Sequence, residues 1–169
     1  MTTMRKSWLA VLVPLLIAPS VLAAGQATVH VEPSDLHGPR PLQERTSNAA
    51  IRDYLESWKG MRAALDGNRA GLLDPYFIGT ARDKLATAIQ GQAAAGIHTR
   101  YQDTQHDLQI VFYSPEGLSI QLIDDVVYNQ QIFDHTKEIG SHHMHARYVV
   151  VLTPAETRWK VRIFQVIPE

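Results

Sequence analysis

Three histidines stand within four positions of the stretch GSHHMHARYVVVL, residues 140–152, just before a long β-branched run. Strand alternation places His143 and His145 on one face, and such an i, i+2 pair can chelate zinc or copper if further ligands join it. The nearby residues that could join are Asp134, His135 and Glu138. Because Arg147 brings positive charge to the same face, we interpret the pair as a solvated polar surface and expect no bound metal.

A second pair of residues could transfer protons inside the fold. Alternation through HDLQIVFY and LSIQLIDDVVYNQQIF turns His106 and Asp124 toward the apolar side of their strands. A carboxylate beside an imidazole can orient it as a general base, so these two are the candidate catalytic residues. Two alternatives stay open: buried polar groups that only satisfy each other's hydrogen bonds, and a bulge that exposes Asp124 in place of Asp125.

The same alternation predicts a ligand pocket with mostly apolar walls and a few polar tips, which suits a hydrophobic small molecule. Its predicted lining combines one helix with three strands: Tyr54, Trp58, Met61, His106, Asp124, Tyr128 and Tyr148. For stability, we expect Trp58→Ala to be severely destabilising and Asp124→Ala to be nearly neutral.

Two helices are predicted to cover this pocket. The stretch AAIRDYLESWKGMRAAL follows Ser47 and Asn48, either of which can cap a helix, and Asp53 falls on its outward face. A second helix is predicted from Gly79 or Thr80 to Ala95. The apolar stripe of the first helix has the i, i+3, i+4, i+7 spacing: Ile51, Tyr54, Leu55, Trp58, Met61 and Leu65.

After Gly96 the apolar period changes from 3.6 to 2, which indicates strands. The stretches HDLQIVFY, LSIQLIDDVVYNQQIF, HMHARYVVVL and RWKVRIFQVI are joined in part by the short turns SPEG and TPAE. The predicted fold class is therefore α+β, with two to three N-terminal helices packed on a curved antiparallel sheet of at least four strands.

Three stretches carry a resemblance to a known fold: YLESWKGMRAALDGNRAGLLDPYFIGTARDKL, DLQIVFYSPEGLSIQLIDDVVYNQ and YVVVLTPAETRWKVRIFQV. Their order resembles the nuclear transport factor 2-like cone, the cystatin-like fold of SnoaL and ketosteroid isomerase. The pattern is most similar to the intermembrane-space domain of the plastid-division protein family, with Trp58-Lys59 and Trp159-Lys160 as its most specific positions. The resemblance implies a cone-shaped sheet. This fold hosts enzymes, ligand carriers and assembly modules, so it does not by itself select a function.

The first 24 residues have the order of a secretory signal peptide. Arg5 and Lys6 precede the apolar stretch SWLAVLVPLLIAPSVLA, and Val21 and Ala23 fit the small-residue cleavage pattern. The alternative is a retained anchor, although the stretch is short for a membrane span and contains Pro14 and Pro19. We divide the chain into a signal peptide (1–24), a linker or arm (25–47) in which Val29 and Val31 could add an edge strand, and a domain (48–169).

Composition excludes several classes of function. There is no cysteine, hence no disulfide framework, no thiol nucleophile and no thiolate metal site. Sixteen Lys and Arg against 17 Asp and Glu give a formal charge of −1, so nucleic acid is not an expected partner.

We expect a periplasmic or secreted protein without a cofactor and without stable membrane insertion after signal cleavage. Its predicted partner is a hydrophobic small molecule or a protein, with a homodimer through the exposed sheet face as a further expectation. The predicted function is a non-catalytic binding or interaction module; the alternative is a cofactor-free isomerase or lyase.

Overall fold

The computed structural model describes residues 26–36, 38 and 40–168, so the predicted signal peptide lies outside the described residues. Helix α1 spans Glu44–Asp66 and helix α2 spans Gly79–Ala94, with a 3₁₀ turn at Ala70–Leu73 between them. Helix α1 begins three residues earlier than Ser47, the first predicted cap, and Gln43 takes the cap position in an extended conformation. None of the described helices is both long and apolar enough to cross a membrane.

Five strands form one sheet in the order β1-β2-β3-β4-β5. Their bounds are Thr28–Val31 (β1), Ile97–Tyr113 (β2), Ile120–Asp134 (β3), Lys137–Pro154 (β4) and Trp159–Ile167 (β5). Strands β2 to β5 pair antiparallel through short connections, whereas β1 pairs parallel with β2. The predicted α+β class is confirmed, and β1 makes the sheet mixed. Strand β1 and the first turn of α1 both lie within the segment assigned to a linker or arm.

The sheet curves around helix α1. Helix α1 contacts both β2 and β5, although two other strands separate these in the sheet. Neighbouring strands lie about 4.8 Å apart, so a flat sheet would hold β2 and β5 about 14 Å from each other, too far for one helix to pack closely against both. Curvature of this kind encloses the concave face on which the core residues lie.

Two bulges in β2 decide which side chains reach the concave face. Register shifts fall between Asp103 and Gln105 and between Ile110 and Phe112. Each shift reverses the alternation, so the buried positions of β2 are Thr99, Asp103, His106, Leu108, Ile110 and Tyr113. Simple alternation places Phe112 inward, and this is wrong because the second bulge turns Tyr113 inward instead.

Helix α1 presents its apolar stripe to the core together with two buried polar residues, Asp53 and Ser57. Asp53, expected to face outward, is buried because its Oδ2 accepts a hydrogen bond of 2.8 Å from the backbone N–H of Trp159. This bond ties α1 to the start of β5. Ile51 and Leu55 are only partly buried and lie at the margin of the core.

Candidate functional site

A chain of hydrogen bonds runs through the interior from α1 to β2. The indole Nε1 of Trp58 donates to the hydroxyl of Tyr54 at 2.7 Å, and that hydroxyl donates to Oδ2 of Asp124 at 2.6 Å. The same Oδ2 faces Nδ1 of His106 at 2.8 Å. Asp124 is 0% exposed and His106 is 1% exposed, so these hydrogen bonds are shielded from water. The second oxygen of Asp124, Oδ1, is buried and has no hydrogen-bond partner.

His106 lies between two carboxylates. Its Nε2 faces Oδ2 of Asp103 at 3.3 Å, and Oδ1 of Asp103 accepts a hydrogen bond from Nη1 of Arg62. Carboxylates only accept hydrogen bonds, so a ring nitrogen of His106 binds the carboxylate that it faces as an N–H donor. The bulge after Asp103 makes this arrangement, because it turns Asp103 and His106 to the same face although they are three residues apart. Sequence alternation missed Asp103 for that reason.

The seven residues of the predicted pocket do come together on the concave face, but they pack as a closed interior. All of them are buried. Trp58 makes an edge contact with His106 at 5.0 Å between ring centroids and with Tyr148 at 5.9 Å. Tyr148 stacks on Phe164 at 4.4 Å. The aromatic residues of this interior, together with Phe164, are called the aromatic cluster: Tyr54, Trp58, Tyr128, Tyr148 and Phe164. Its role in ligand binding stays a prediction.

Burial raises the pKa of three phenols in and beside this interior. Burial, and secondarily the carboxylate of Asp124, raises the pKa of Tyr54 well above its ordinary value. Burial and the hydrogen bond to Tyr128 likewise raise the pKa of Tyr148, whose hydroxyl lies 3.4 Å from that of Tyr128. The pKa of Tyr101 is raised to about 12, mainly by burial. Neutral phenols therefore act here as hydrogen-bonding groups, not as anions.

An open cleft of about 740 Å³ lies beside this interior, between α1, β1 and the middle of β2. We call it the edge cleft. Its apolar wall is formed by Ala27, Val29, Val31, Ile51 and Leu55, and its polar end by Arg62, Gln102, Asp103 and His106. An apolar wall with a few convergent polar groups is typical of small-molecule sites. Of the seven predicted pocket residues, only His106 lines this cleft.

Strand β1 supplies the outer wall of the edge cleft. Val29 pairs with His106 and Val31 with Leu108, so the two valines face the concave side, while His30 faces the other side. With the described residues alone around them, Val29 and Val31 are 41% and 46% exposed. The alternation of Val29 and Val31 was the sequence signal for this wall, whereas no sequence signal indicated Arg62 as a lining residue.

The convex face of the sheet carries the histidines singled out in the sequence. His143, His145 and Arg147 are exposed there, and Nδ1 of His143 lies 2.8 Å from the side-chain oxygen of Asn129. Arg147 binds Asp125 through two contacts of 2.8 and 2.7 Å. This pair settles the open register question: Asp125 faces outward and Asp124 inward. Within the part of the chain that the structure describes, no group of three or more His, Asp or Glu side chains is arranged to hold a metal ion.

Two solved structures are similar to this chain over most of its length. The intermembrane-space region of the chloroplast protein ARC6 aligns with a TM-score of 0.61 at 13% identity, covering 78% of this chain and 100% of that one. A protein of Novosphingobium aromaticivorans assigned as a scytalone dehydratase aligns with a TM-score of 0.52 at 16% identity, covering 75% and 89%. No family profile matches the sequence, and no curated protein matches it.

These likenesses agree with the element order, the curved sheet and the helices on its concave face. The chain has the nuclear transport factor 2-like cone fold, as the sequence resemblance implied. At such low identity the likeness extends to the fold alone.

Proposed function

We propose that this protein binds an elongated hydrophobic small molecule in the edge cleft without transforming it. The observation that carries the proposal is the cleft itself, about 740 Å³ in volume, with a wall of five apolar side chains and a polar end. A volume of this size falls in the usual range for small-molecule sites. The aromatic cluster, in contrast, is packed full and leaves Trp58 only 1% exposed.

The shape of the cleft supports an elongated ligand. Ile51, Leu55 and Arg62 lie on one side of α1, at helical spacings of four and seven residues. At 1.5 Å per residue, the eleven steps from Ile51 to Arg62 span about 16 Å along the helix axis. A ligand lying along α1 contacts the valines of β1 on its other side, which removes apolar surface of ligand and protein from water.

The test uses N-phenyl-1-naphthylamine, an uncharged probe whose fluorescence rises in apolar sites. We expect saturable binding by the wild-type protein and at least about tenfold weaker binding by Leu55→Trp, because the larger side chain fills the cleft; tenfold corresponds to about 1.4 kcal/mol. The matched control is Leu118→Trp, which places the same indole at a residue that is 61% exposed and outside the cleft. Equal binding by both variants would contradict the proposal.

A second candidate function is a cofactor-free isomerase or lyase. The observation in its favour is that Asp124 holds Nδ1 of His106 at 2.8 Å while His106 also lines the cleft. A carboxylate in this position orients an imidazole for proton transfer. In the structure Nε2 of His106 faces Asp103, so Asp103 has to turn away before Nε2 can reach a ligand. The likeness to a protein assigned as a dehydratase supports this candidate at the level of the fold.

The two functions differ in what happens to a bound ligand. Mass spectrometry of the ligand after prolonged incubation with the wild-type protein and with His106→Gln separates them. Unchanged ligand with both proteins supports binding alone. A product formed by the wild-type protein and absent with His106→Gln supports the enzyme.

Export to the periplasm or the medium belongs to the same proposal. It is supported by the order of charged, apolar and small residues in the first 24 positions, and by the likeness to a domain that occupies an intermembrane space. We expect the exported chain to begin at Ala24 or Gly25. Intact-mass measurement checks this, and an exported chain that retains Met1 would contradict it.

A protein partner or a homodimer on the exposed sheet face is tested by light scattering of the same sample.

A further inference from the structure

We infer that the ligand of the edge cleft carries an oxyanion headgroup, a carboxylate or a phosphate monoester, and that the guanidinium of Arg62 binds it at the buried end of the cleft. This inference rests on the proposed binding function. It names the class of ligand that such a cleft accepts: an amphipathic acid, whose apolar body lies against β1 and α1.

The first argument is the hydrogen-bonding capacity of Arg62. A guanidinium has five N–H donors, and in the described part of the chain Arg62 uses only Nη1, toward Asp103. The edge formed by Nε and Nη2 is left for another acceptor. This edge matches a carboxylate or a phosphate with two parallel hydrogen bonds, and using it does not break the pair with Asp103.

Arg52 is a residue of the same cleft whose guanidinium edge is already hydrogen-bonded within the protein. It also lines the cleft from α1, but its Nε and Nη2 both donate to Oδ1 of Asp53, at 3.1 and 2.9 Å. Lys59, a third cationic lining residue, is bound to Glu56 at 2.7 Å. Among the cationic lining residues, Arg62 therefore differs in leaving its Nε–Nη2 edge for a ligand.

The second argument is charge and burial. Among the described residues, the charged side chains that line the cleft are three cations and two anions: Arg52, Lys59, Arg62, Glu56 and Asp103. Arg62 is the least exposed of the cations, with 33% of its side chain accessible against 66% for Arg52 and 62% for Lys59. Burial lowers the pKa of Arg62, which means that its charge has lost part of its hydration. A bound anion offsets that loss.

The experiment compares amphiphiles that share one apolar tail: dodecanoate, dodecyl phosphate, dodecanol and dodecyltrimethylammonium, each below its micelle-forming concentration. Calorimetric titration gives their affinities for the wild-type protein. We expect at least one oxyanion to bind about tenfold or more tightly than dodecanol, since a hydrogen-bonded charge contributes more than a neutral group. We expect the cation to bind most weakly. The tighter of the two oxyanions identifies the headgroup.

Variants assign the preference to one residue. Arg62→Gln should abolish the advantage of the oxyanion over dodecanol, and Arg62→Lys should keep part of it because the charge remains without the fork. Arg52→Gln is the matched control, with the same change on the same helix and in the same cleft, and it should keep the advantage. Thermal melts followed by circular dichroism show that each variant is folded.

The outcomes separate the two proposals. If dodecanol and the oxyanions bind the wild-type protein equally, or if Arg52→Gln and not Arg62→Gln removes the preference, the inference about Arg62 is wrong while the binding function stands. If none of the amphiphiles binds saturably, dodecanol included, the binding function itself is wrong. The wild-type series decides the headgroup even if Arg62→Gln does not fold.

Discussion

The aromatic cluster and the edge cleft lie side by side on the concave face of one sheet, and His106 touches both. They differ in what stands opposite the sheet. Across from β3 and β4, the large side chains of Tyr54 and Trp58 are buried, and the ring of Trp58 lies against those of Tyr128 and Tyr148 at 6.0 and 5.9 Å between centroids. Across from β1, the apolar residues that α1 presents to the cleft are the partly buried Ile51 and Leu55, and space remains between them and the strand. Side-chain volume opposite the sheet, not the polarity of the lining, therefore decides where this cone is open.

The largest expected effect is on the closed side of this comparison. Trp58→Ala should lower the free energy of unfolding by about 3 to 5 kcal/mol, since it leaves a large cavity and removes the donor to Tyr54. Leu55→Ala, on the open side, should lower the free energy of unfolding by about 1 kcal/mol. The loss is smaller because Leu55 is only partly buried, so folding removes less of its apolar area from water. Urea denaturation of both variants checks this. Similar losses for both would mean that the cleft wall is as tightly packed as the cluster.

An intermediate effect is expected at Asp124, where the buried hydrogen bonds connect the aromatic cluster to His106. The strand pattern alone predicts that Asp124→Ala is nearly neutral. The structure shows instead that this substitution leaves two buried donors without an acceptor, the hydroxyl of Tyr54 and Nδ1 of His106. At about 1 to 3 kcal/mol for each unsatisfied group, the two donors cost about 2 to 6 kcal/mol. Removal of the buried, unpartnered Oδ1 of Asp124 offsets part of this cost, so we expect a loss of about 2 to 4 kcal/mol.

Asp125→Ala is the matched control for that change. It removes the neighbouring carboxylate from the convex face, where Asp125 binds Arg147, and exposed ion pairs contribute about 0 to 1 kcal/mol. If instead Asp124→Ala stabilises the protein, the buried carboxylate is retained at a cost to stability. That outcome favours the enzyme over the binding protein.

The smallest effect, about 1.4 kcal/mol for one buried phenol at one pH unit above its free pKa, is a difference in pH dependence. Free phenols ionise near pH 10.0, whereas burial raises the pKa of Tyr101 to about 12 and raises that of Tyr148 as well. Above pH 10 the unfolded chain therefore holds fewer protons than the native chain. The free energy of unfolding is unaffected below that pH and falls above it, by about 1.4 kcal/mol per pH unit for each such group.

Stability measured between pH 9 and 12 tests this assignment to the cluster. Tyr148→Phe, which removes one buried phenol, should show a shallower decline than the wild-type protein. Leu55→Ala, which changes only the cleft, should keep the wild-type slope. A wild-type slope in Tyr148→Phe would mean that its hydroxyl ionises in the native protein.

Periodicity predicted the parts of the fold in which one residue type repeats along an uninterrupted element. Helix α1 and strand β3 are of this kind, and the inward direction of Asp124, Tyr128 and Tyr148 follows from it. Asp103 could not be predicted in the same way. Its direction depends on a bulge in β2, and the stretch DTQ that contains the bulge has no glycine or proline to indicate it.

The location of the open space was also beyond the sequence pattern. Alternation gives the side of the sheet to which a residue points, but not whether opposing side chains meet. The predicted lining residues reach one another and fill the interior. The cleft instead depends on the pairing of β1 with residues 105–108, a contact between segments far apart in the chain that local pattern does not encode.

The four-residue strand β1 gives the edge cleft a wall of low local stability. Among the described strands it pairs with β2 alone, and its ladder is followed by a bond from the amide of Glu32 to the carbonyl of Leu108 at 2.8 Å. Detaching it exposes little core, so this opening costs a fraction of the free energy of global unfolding. Amides of β1 should accordingly exchange with solvent hydrogen long before those of β3, and a ligand can enter by displacing one short segment while the cone stays folded.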